Sequence, residues 1–218
     1  MTMNKMKAIM LLMMLMTAIG MQAQIPAEVV EVMRKCEEKM DHPKGMEIDM
    51  DIHMKYMVFS MNGTVKAFQK GDKSKEIMTM KVLGKEVKQV TGFDGTQEWE
   101  FKPAEGKNGK DSLIITTTNQ KSKSDNDINF DMDKDYKKAT MKLKGVNYEI
   151  TFSEPISKDS PKKTTIKINK DTYYFYEMSF KESGATVRMT VKKIKIGADD
   201  KVFKFDPSQY PTAVVVRK

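Results

Sequence analysis

The sequence is poor in the residues that usually carry catalysis. Among its 218 residues are one cysteine, two histidines and three arginines. A single cysteine excludes an intramolecular disulfide and any site built from several thiolates. Two histidines leave few side chains that change charge near neutral pH. No Gly-x-Ser-x-Gly sequence, which surrounds the nucleophile of many hydrolases, is present. We therefore predict a protein that is not an enzyme and that holds no cofactor.

Neither the histidines nor the acidic residues form the pattern of an active site or a metal site. His42 precedes a proline in a predicted turn, and His53 lies on the polar side of a predicted strand. The acidic stretch 125–135 starts like a calcium-binding loop, but Phe130 stands where that loop needs glycine, and its last position holds tyrosine instead of glutamate. We predict no metal site, and for 119–139 a solvated loop with one helical turn near its end.

The first residues have the pattern of a secretory signal peptide. Two lysines precede an apolar run over 8–19, which is too short to span a bilayer. We predict cleavage after Ala23, so that 1–23 is the signal peptide and one domain covers 24–218. The alternative is an uncleaved N-terminal anchor. Either interpretation implies export from the cytoplasm.

The positive charge comes mainly from lysines, and the formal net charge is +8 at pH 7. These lysines recur along predicted strands and turns, which is typical of solvated strand faces and protected sheet edges. An exported protein without a recognition motif is not expected to bind nucleic acid. A basic surface of this kind can still attract anionic membranes or acidic partners.

The strongest structural signal is the alternation of apolar and polar residues over 46–58. A period of two predicts a long strand with one dry face and one wet face. The wet face carries acidic residues together with His53 and Lys55. Methionine is abundant on the dry face, and its flexible side chain suits an adaptable apolar surface. The dry face carries Met46, Ile48, Met50, Ile52, Met54, Tyr56 and Val58.

Residues 26–40 predict a helix with one apolar stripe, which includes Val29, Met33 and Cys36. Such a stripe must be buried, and the dry face of the predicted sheet is the available surface. We interpret Cys36 as a small buried apolar residue. A reactive thiol is the alternative.

The remainder of the chain alternates between strands and turns. Asn62-Gly63 and Asp94-Gly95 predict hairpin turns. The apolar pattern changes phase between Val191 and Ile194, which predicts a β-bulge. Residues 202–205 predict a last short strand. We expect one antiparallel sheet of roughly ten strands, which by its size should curl toward a barrel.

Apolar, aromatic and methionine side chains accumulate on one predicted side of this sheet. A helix is only about 10 Å wide, so one helix covers little of such a surface. The alternatives are an open hydrophobic groove and a core that a second helix fills. The residues that we predict to bind a ligand in the groove are Val29, Met33, Met46, Ile48, Met50, Ile52, Met54, Tyr56, Met78, Met80, Trp99 and Phe101.

Two segments resemble the LolA-like family of periplasmic lipoprotein carriers. Residues 93–103, with the sequence Phe-Asp-Gly-Thr-Gln-Glu-Trp-Glu-Phe-Lys-Pro, are similar to the family's Asp-Gly…Trp…Pro hairpin. Residues 201–207, with the sequence Lys-Val-Phe-Lys-Phe-Asp-Pro, are similar to its Phe-x-Phe-x-Pro ending. The order of signal peptide, helix, long strand and successive hairpins is also shared.

The resemblance implies an α+β fold: a strongly curved, unclosed antiparallel β-barrel with the N-terminal helix packed on its concave face. It also implies a monomeric periplasmic carrier or chaperone, which binds lipoprotein acyl chains or another lipid in a hydrophobic cavity. Such a carrier serves outer-membrane lipoprotein sorting and has transfer partners at the inner and outer membranes. The alternative on the same fold is an envelope-sensing or interaction protein with a filled core.

The sequence departs from the family at one position of consequence. Carriers of this type hold the helical lid with an arginine in the early strands, and residues 41–90 contain no arginine. Lys55, Lys66 and Lys70 are the candidates to replace it. Lysine lacks the planar donor fork of arginine, so this replacement would not be equivalent.

Overall fold

The computed structural model describes residues 25–82, 84–104, 109–117, 132–158, 160–182 and 184–217. The helices are α1 (Ala27–Met40) and the single turn α2 (Met132–Asp135), with 3-10 helices at Asp200–Phe203 and Pro207–Gln209. The strands are β1 (Met46–Tyr56), β2 (Phe59–Lys70), β3 (Lys73–Val82), β4 (Lys85–Phe93), β5 (Gln97–Lys102), β6 (Ser112–Thr117), β7 (Tyr136–Lys144), β8 (Asn147–Pro155), β9 (Lys163–Asn169), β10 (Phe175–Glu182), β11 (Ala185–Ile196) and β12 (Val214–Arg217).

All twelve strands form one sheet, in the order β12-β6-β5-β4-β3-β2-β1-β11-β10-β9-β8-β7. Every neighbouring pair is antiparallel except β12 and β6, which are parallel. Within the described strands the sheet is open, because β7 and β12 are its edges. The expected fold, a curved unclosed antiparallel sheet with α1 on its concave face, is confirmed. The signal-peptide prediction and residues 119–131 of the predicted loop lie outside the described residues, and the end of that loop is wrong, because 136–139 belongs to β7.

Helix α1 forms where the sequence predicts it. Glu28 lies in the first turn, where the helix dipole favours negative charge. On the exposed side, Arg34 pairs with Glu31 at 2.8 Å and also with Glu38. Cys36 is buried on the other side, and burial raises the pKa of its thiol to about 12. Cys36 is 0% exposed within the core, which confirms the interpretation of Cys36 as a buried apolar residue.

The concave face of the sheet holds the main core. Residues directly opposite each other in neighbouring strands lie on the same face, so the faces can be followed across the sheet. Met50 lies opposite Val65 of β2 and Val191 of β11, and the neighbouring row of Ile52 continues through Met189 and Met178 to Ile166 and Ile150. The buried stripe of α1 packs into this core. Each large apolar side chain buried here contributes about 1.5–3 kcal/mol.

The convex face carries a second, separate apolar cluster. Trp99 lies opposite Gly92, and the row of that glycine leads across β3 and β2 to Glu47, on the polar side of β1. Trp99, Leu113 and Ile115 are buried there under the C-terminal segment. A Cβ atom on Gly92 would lie 2.2 Å from the indole ring, so glycine is needed to seat Trp99.

Aromatic rings fasten the C-terminal segment to this cluster. The rings of Trp99 and Phe205 lie 5.4 Å apart, and those of Phe101 and Tyr210 stack at 4.8 Å. The segment continues into β12, which extends the sheet beyond β6. The predicted strand over 202–205 is wrong, because Asp200–Phe203 is a 3-10 helix whose first turn is capped by Asp199.

Three further local predictions can be compared with the structure. Asp94 confirms the predicted turn before β5, since its carboxylate accepts hydrogen bonds from the backbone N–H groups of Thr96 and Gln97 at 3.0 and 2.9 Å. The predicted bulge is confirmed at Lys192, where the pairing of β11 with β1 shifts by one residue. The turn predicted at Asn62-Gly63 is wrong, because both residues lie within β2.

Candidate functional site

Burial decreases steadily along β1 on the concave face. Met46, Ile48, Met50 and Ile52 are buried, Met54 is partly buried, and Tyr56 at the end of the strand is 41% exposed. The core is therefore closed where β1 begins and opens toward the end of the strand.

Two contacts of the second half of α1 lie toward the closed end, while the helix also contacts the edge strand β7. The Lys35 ammonium lies 5.0 Å from the centre of the Tyr173 ring, in the turn before β10. Cys36 lies beside the backbone of Phe175, at the start of β10. Because β10 begins where β1 begins and runs alongside β11, these contacts place the second half of α1 over the closed end.

Beyond this region the concave face presents partly buried apolar residues from five adjacent strands. Met54 of β1 lies directly opposite Met61 of β2. On the other side, Phe180 of β10 lies opposite Val187 of β11, which in turn faces Met54. We call these residues the methionine surface. It comprises Met54, Met61, Met78, Val82, Phe180 and Met189.

A glycine shapes this surface from within β2. A Cβ atom at Gly63 would lie 2.4 Å from the Met80 sulfur and 3.0 Å from Cγ2 of Ile52. Gly63 therefore gives Met80 room to be buried against β2 and Ile52. This close packing explains why an Asn-Gly pair, a typical hairpin signal, lies inside a strand.

A polar pair borders the methionine surface on the β4 side. Met78 lies opposite Gln89, whose side-chain amide donates a hydrogen bond to a Glu100 carboxylate oxygen at 3.0 Å. The methionine surface thus spans five strands, β10, β11, β1, β2 and β3, and ends at this polar pair. It offers an apolar strip with one polar margin, which fits a ligand with an apolar chain better than a charged metabolite.

The predicted ligand-binding residues fall into three groups. Met54 and Met78 belong to the methionine surface, and Tyr56 lies at its exposed end. Trp99 and Phe101 were predicted on the same side as the methionines, and this is wrong, because they lie in the convex cluster. The remaining residues are buried in the helix–sheet core rather than on an open groove: Val29, Met33, Met46, Ile48, Met50, Ile52 and Met80.

Sequence reasoning missed several members of the surface. Met61 was hidden by the false turn at Asn62-Gly63, although alternation across 59–65 would have placed it with Val65. Phe180 and Met189 were missed as surface residues because their partial burial depends on how far α1 reaches over the sheet. No local pattern encodes that reach.

The charged groups of β1 and its neighbours lie on the convex face. The Lys66 ammonium lies 2.7 Å from Glu47, and that of Lys195 lies 3.4 Å from the same carboxylate. The hydrogen bond from Lys66 lowers the pKa of Glu47, and that same bond raises the pKa of Lys66. This confirms the predicted wet face of the strand.

These positions bear on the missing lid arginine. Lys66 is engaged on the convex face, and Lys70 pairs there with Asp200 at 2.8 Å. Lys55 alternates with Met54 and Tyr56, so it also lies on the convex side. None of the three lysines can therefore hold α1 as the family's arginine does.

In the described part of the chain, the side chains that could act in catalysis or bind a metal ion do not come together in a site. No cluster of three or more His, Cys, Asp or Glu side chains suited to a metal ion occurs among the described residues. His53 is exposed, and its Nδ1 lies 2.6 Å from the Asn62 side-chain oxygen. In the same ranges no helix is long and apolar enough to cross a membrane.

Comparison with known proteins adds evidence on the fold. The sequence matches no family model and no curated protein. Among solved structures, the chain is similar to an uncharacterized conserved protein from Thermus thermophilus, with a TM-score of 0.53 and 11% identity over 88% of this chain and 99% of that chain.

Two other solved structures are similar to the chain at lower TM-scores. One is a LolA superfamily protein from Nitrosomonas europaea, with a TM-score of 0.41 and 13% identity over 82% of this chain and 98% of that one. The other is a domain from Vibrio parahaemolyticus whose name refers to outer membrane lipoprotein sorting, with a TM-score of 0.41 and 10% identity over 80% and 95%. At such identities the likeness concerns the fold alone.

Proposed function

We propose that this protein is a periplasmic carrier or chaperone that binds the acyl chains of lipoproteins, or of another lipid, on the methionine surface. The observation that supports this most directly is the partly buried apolar strip beside a closed core. A folded protein that needed this strip only for stability would gain more by covering it.

Apolar burial supplies enough free energy for such binding. Each CH₂ group transferred from water contributes about 0.8 kcal/mol, so even a partly covered chain of about 14 carbons would bind without polar recognition. Methionine side chains adjust their shape easily, which suits acyl chains of different length and saturation. The Gln89–Glu100 pair would then mark the side on which a polar head group leaves the surface.

Deeper binding would require α1 to move. Val29 and Met33 of α1 and Met50 of β1 are buried in the same core, so a chain can reach Met50 only when the helix is displaced. The methionine surface would be the first contact, and displacement of α1 would extend the site. Because no arginine holds the helix from the early strands, core packing sets the cost of this movement.

Two aspartate substitutions test the binding surface. Met54→Asp and Met61→Asp each place a carboxylate on the apolar strip, where an acyl chain would have to desolvate it. We expect binding of a fluorescent fatty-acid probe to weaken at least about tenfold, because one buried charge costs more than the roughly 1.4 kcal/mol that a tenfold change represents.

Ser60→Asp is the matched control. Ser60 is exposed, adjoins Met61 in β2 and points to the opposite face. The substitution therefore adds the same charge away from the apolar strip. Probe binding by this variant should stay within about twofold of the original protein. Unchanged binding by both methionine variants, with normal thermal melting, would reject the methionine surface as the site.

The filled core favours a second candidate, an envelope-sensing or interaction protein. Seven of the residues predicted to line a groove are buried under or beside α1. If this is the function, protein purified from the periplasm should carry no lipid in stoichiometric amounts. Lipid mass spectrometry on that material separates the two candidates, since a carrier retains acyl cargo.

A further inference from the structure

Three hairpins end side by side at one end of the sheet. They join β3 to β4, β1 to β2 and β10 to β11, and their strands are consecutive in the sheet order β4-β3-β2-β1-β11-β10. The β1–β2 hairpin is the middle one. Its turn is formed by Met57 and Val58, between the paired residues Tyr56 and Phe59.

This middle hairpin exposes four consecutive apolar residues, which we call the apolar tip. Tyr56 is 41% exposed, Met57 71%, Val58 88% and Phe59 69%. Isolated exposed apolar residues are common, but a run of four at a projecting turn is a contiguous patch. Its residues include an aromatic ring on each side of the turn, which is the type that anchors proteins at membrane interfaces.

The backbone of the turn would favour other residues. Met57 has a φ angle of +50°, in the left-handed region where glycine or asparagine is favoured. A two-residue hairpin turn that carries methionine at its first position is thus less stable than the same turn with glycine there. The sequence keeps apolar side chains at the one place where turn geometry disfavours them, which points to a role for those side chains.

The neighbouring hairpin braces the tip. A Cβ atom on Gly184, in the β10–β11 turn, would lie 3.3 Å from the Tyr56 ring, so this ring packs directly over the glycine. The tip therefore projects from a sheet end that supports it, instead of from a long loop.

Basic residues surround the tip. Lys55 adjoins it in β1, Lys81 and Lys85 flank the β3–β4 turn, and Lys181 lies near the end of β10; all four are exposed. Two acidic residues, Glu86 and Glu182, directly follow Lys85 and Lys181 in the sequence, so four lysines stand against two glutamates at this end of the sheet. The end of the sheet thus combines a protruding apolar patch with an excess of positive charge.

We propose that the apolar tip inserts into the interfacial region of an anionic phospholipid bilayer, with the flanking lysines on the lipid phosphates. A protein partner fits less well, because a stable protein interface buries about 800 Å² on each side and a four-residue projection offers only part of that area. An apolar projection with a basic margin is the arrangement that binds anionic membranes. This inference does not depend on acyl-chain binding by the methionine surface.

Vesicle flotation with the mature protein tests this inference. The vesicles contain phosphatidylcholine alone or with about one third phosphatidylglycerol. We expect binding to the anionic vesicles that falls with added salt, because each lysine near an anionic surface contributes roughly fivefold in partitioning. Val58→Asp should reduce binding about tenfold or more, since it places a carboxylate in the inserted turn.

Val146→Asp provides the matched control. Val146 is 54% exposed and lies in the turn between β7 and β8, at the other end of the sheet. Val146→Asp should leave vesicle binding within about twofold of that of the original protein, because the substitution adds the same charge far from the tip. Met57→Gly should keep the fold, by thermal melting, while weakening binding, since it improves the turn and removes one apolar side chain.

Three results would overturn the inference. The first is the absence of binding to anionic vesicles. The second is equal binding by Val58→Asp and the original protein, which would mean that lysines alone attract the vesicles. The third is an equal loss in Val146→Asp, which would show a general charge effect. Because the probe assay for the methionine surface uses no bilayer, the two proposals can fail separately.

Discussion

The two faces of the sheet each carry an apolar cluster, and the chain treats them differently. On the convex face Trp99 is buried under the C-terminal segment, with ring contacts at 5.4 and 4.8 Å. On the concave face α1 packs into the core that includes the beginning of β1, while Met54, Met61 and Met78 remain partly exposed. One cluster is closed by the protein's own chain, and the other is left partly uncovered.

This difference separates a stabilising cluster from a binding surface. Aromatic rings stacked in fixed geometry, with a glycine that seats the indole, give a rigid contact that holds the C-terminal segment. Methionines without fixed partners give a contact that can adapt. Apolar content alone would rank Trp99 and Phe101 first as ligand contacts. The structure reverses that ranking, because the C-terminal segment covers the two aromatic residues while the methionines stay partly exposed.

The largest expected effect contrasts two methionines of the same strand face. Met50 is 2% exposed, so Met50→Asp removes a core side chain and buries a carboxylate without a partner. It should lower the free energy of unfolding by about 5 kcal/mol, whereas Met54→Asp should cost about 1 kcal/mol, since Met54 is partly exposed. Urea denaturation of both variants measures the difference, and equal losses would show that the concave face is closed along its whole length.

The next effect concerns the convex cluster. Trp99→Ala removes the indole between Gly92 and Phe205, and a buried tryptophan lost to alanine costs about 3–5 kcal/mol. Binding of the acyl probe by the folded fraction should change by less than about twofold, because Trp99 lies on the opposite face from the methionine surface. A variant of normal stability that has lost probe binding would place the ligand on the convex side.

A smaller effect tests how tightly the concave core is sealed near the edge strand β7. The Tyr136 hydroxyl lies 2.7 Å from that of Thr164 and donates to the Pro161 carbonyl at 2.9 Å. Tyr136→Phe should cost about 1–3 kcal/mol, because it leaves the buried Thr164 hydroxyl without this partner. The double variant with Thr164→Val should recover part of that loss in thermal melting, and a greater loss would indicate that packing, not hydrogen bonding, dominates there.

The smallest effect concerns the ion pairs of the convex face. Lys66 lowers the pKa of Glu47, so the folded protein holds the carboxylate ionised to lower pH than the unfolded chain does. The resulting stability is present above the unfolded pKa of about 4 and is lost as pH falls through the folded value. Glu47→Gln should cost less than about 1 kcal/mol near neutral pH and nothing in acid, as measured by melting across pH. A constant cost at every pH would assign the effect to packing.

Local alternation made part of the fold predictable. It marked β1 correctly from Met46 to Tyr56, because the strand stays half wet and half dry over that length, but the predicted strand ran on into the turn at Met57 and Val58. It also placed Trp99 and Phe101 correctly relative to each other. It could not assign them to a side of the sheet, because α1 covers one face and the C-terminal segment covers the other, so an apolar row can belong to either.

Other errors have a similar physical origin. Gly63 resembles a turn residue, but it is needed because Met80 and Ile52 approach β2 closely. The true turn at Met57 and Val58 has no turn residues at all. The apolar tip and the methionine surface were therefore not separable in the sequence, where both belong to a single apolar pattern over 46–61.

The position of β1 in the sheet has a consequence for the order of folding. β1 lies between β2, which follows it immediately, and β11, which begins only at Ala185. During synthesis from the N-terminus, successive hairpins can form β1 through β6. The other edge of β1 stays unpaired until β11 has been made. Until then α1 lacks the β10 residues beside which it packs, and an apolar strand edge stays open to wrong partners. The protein completes its core late, so apolar surface stays open to aggregation until β10 and β11 have formed.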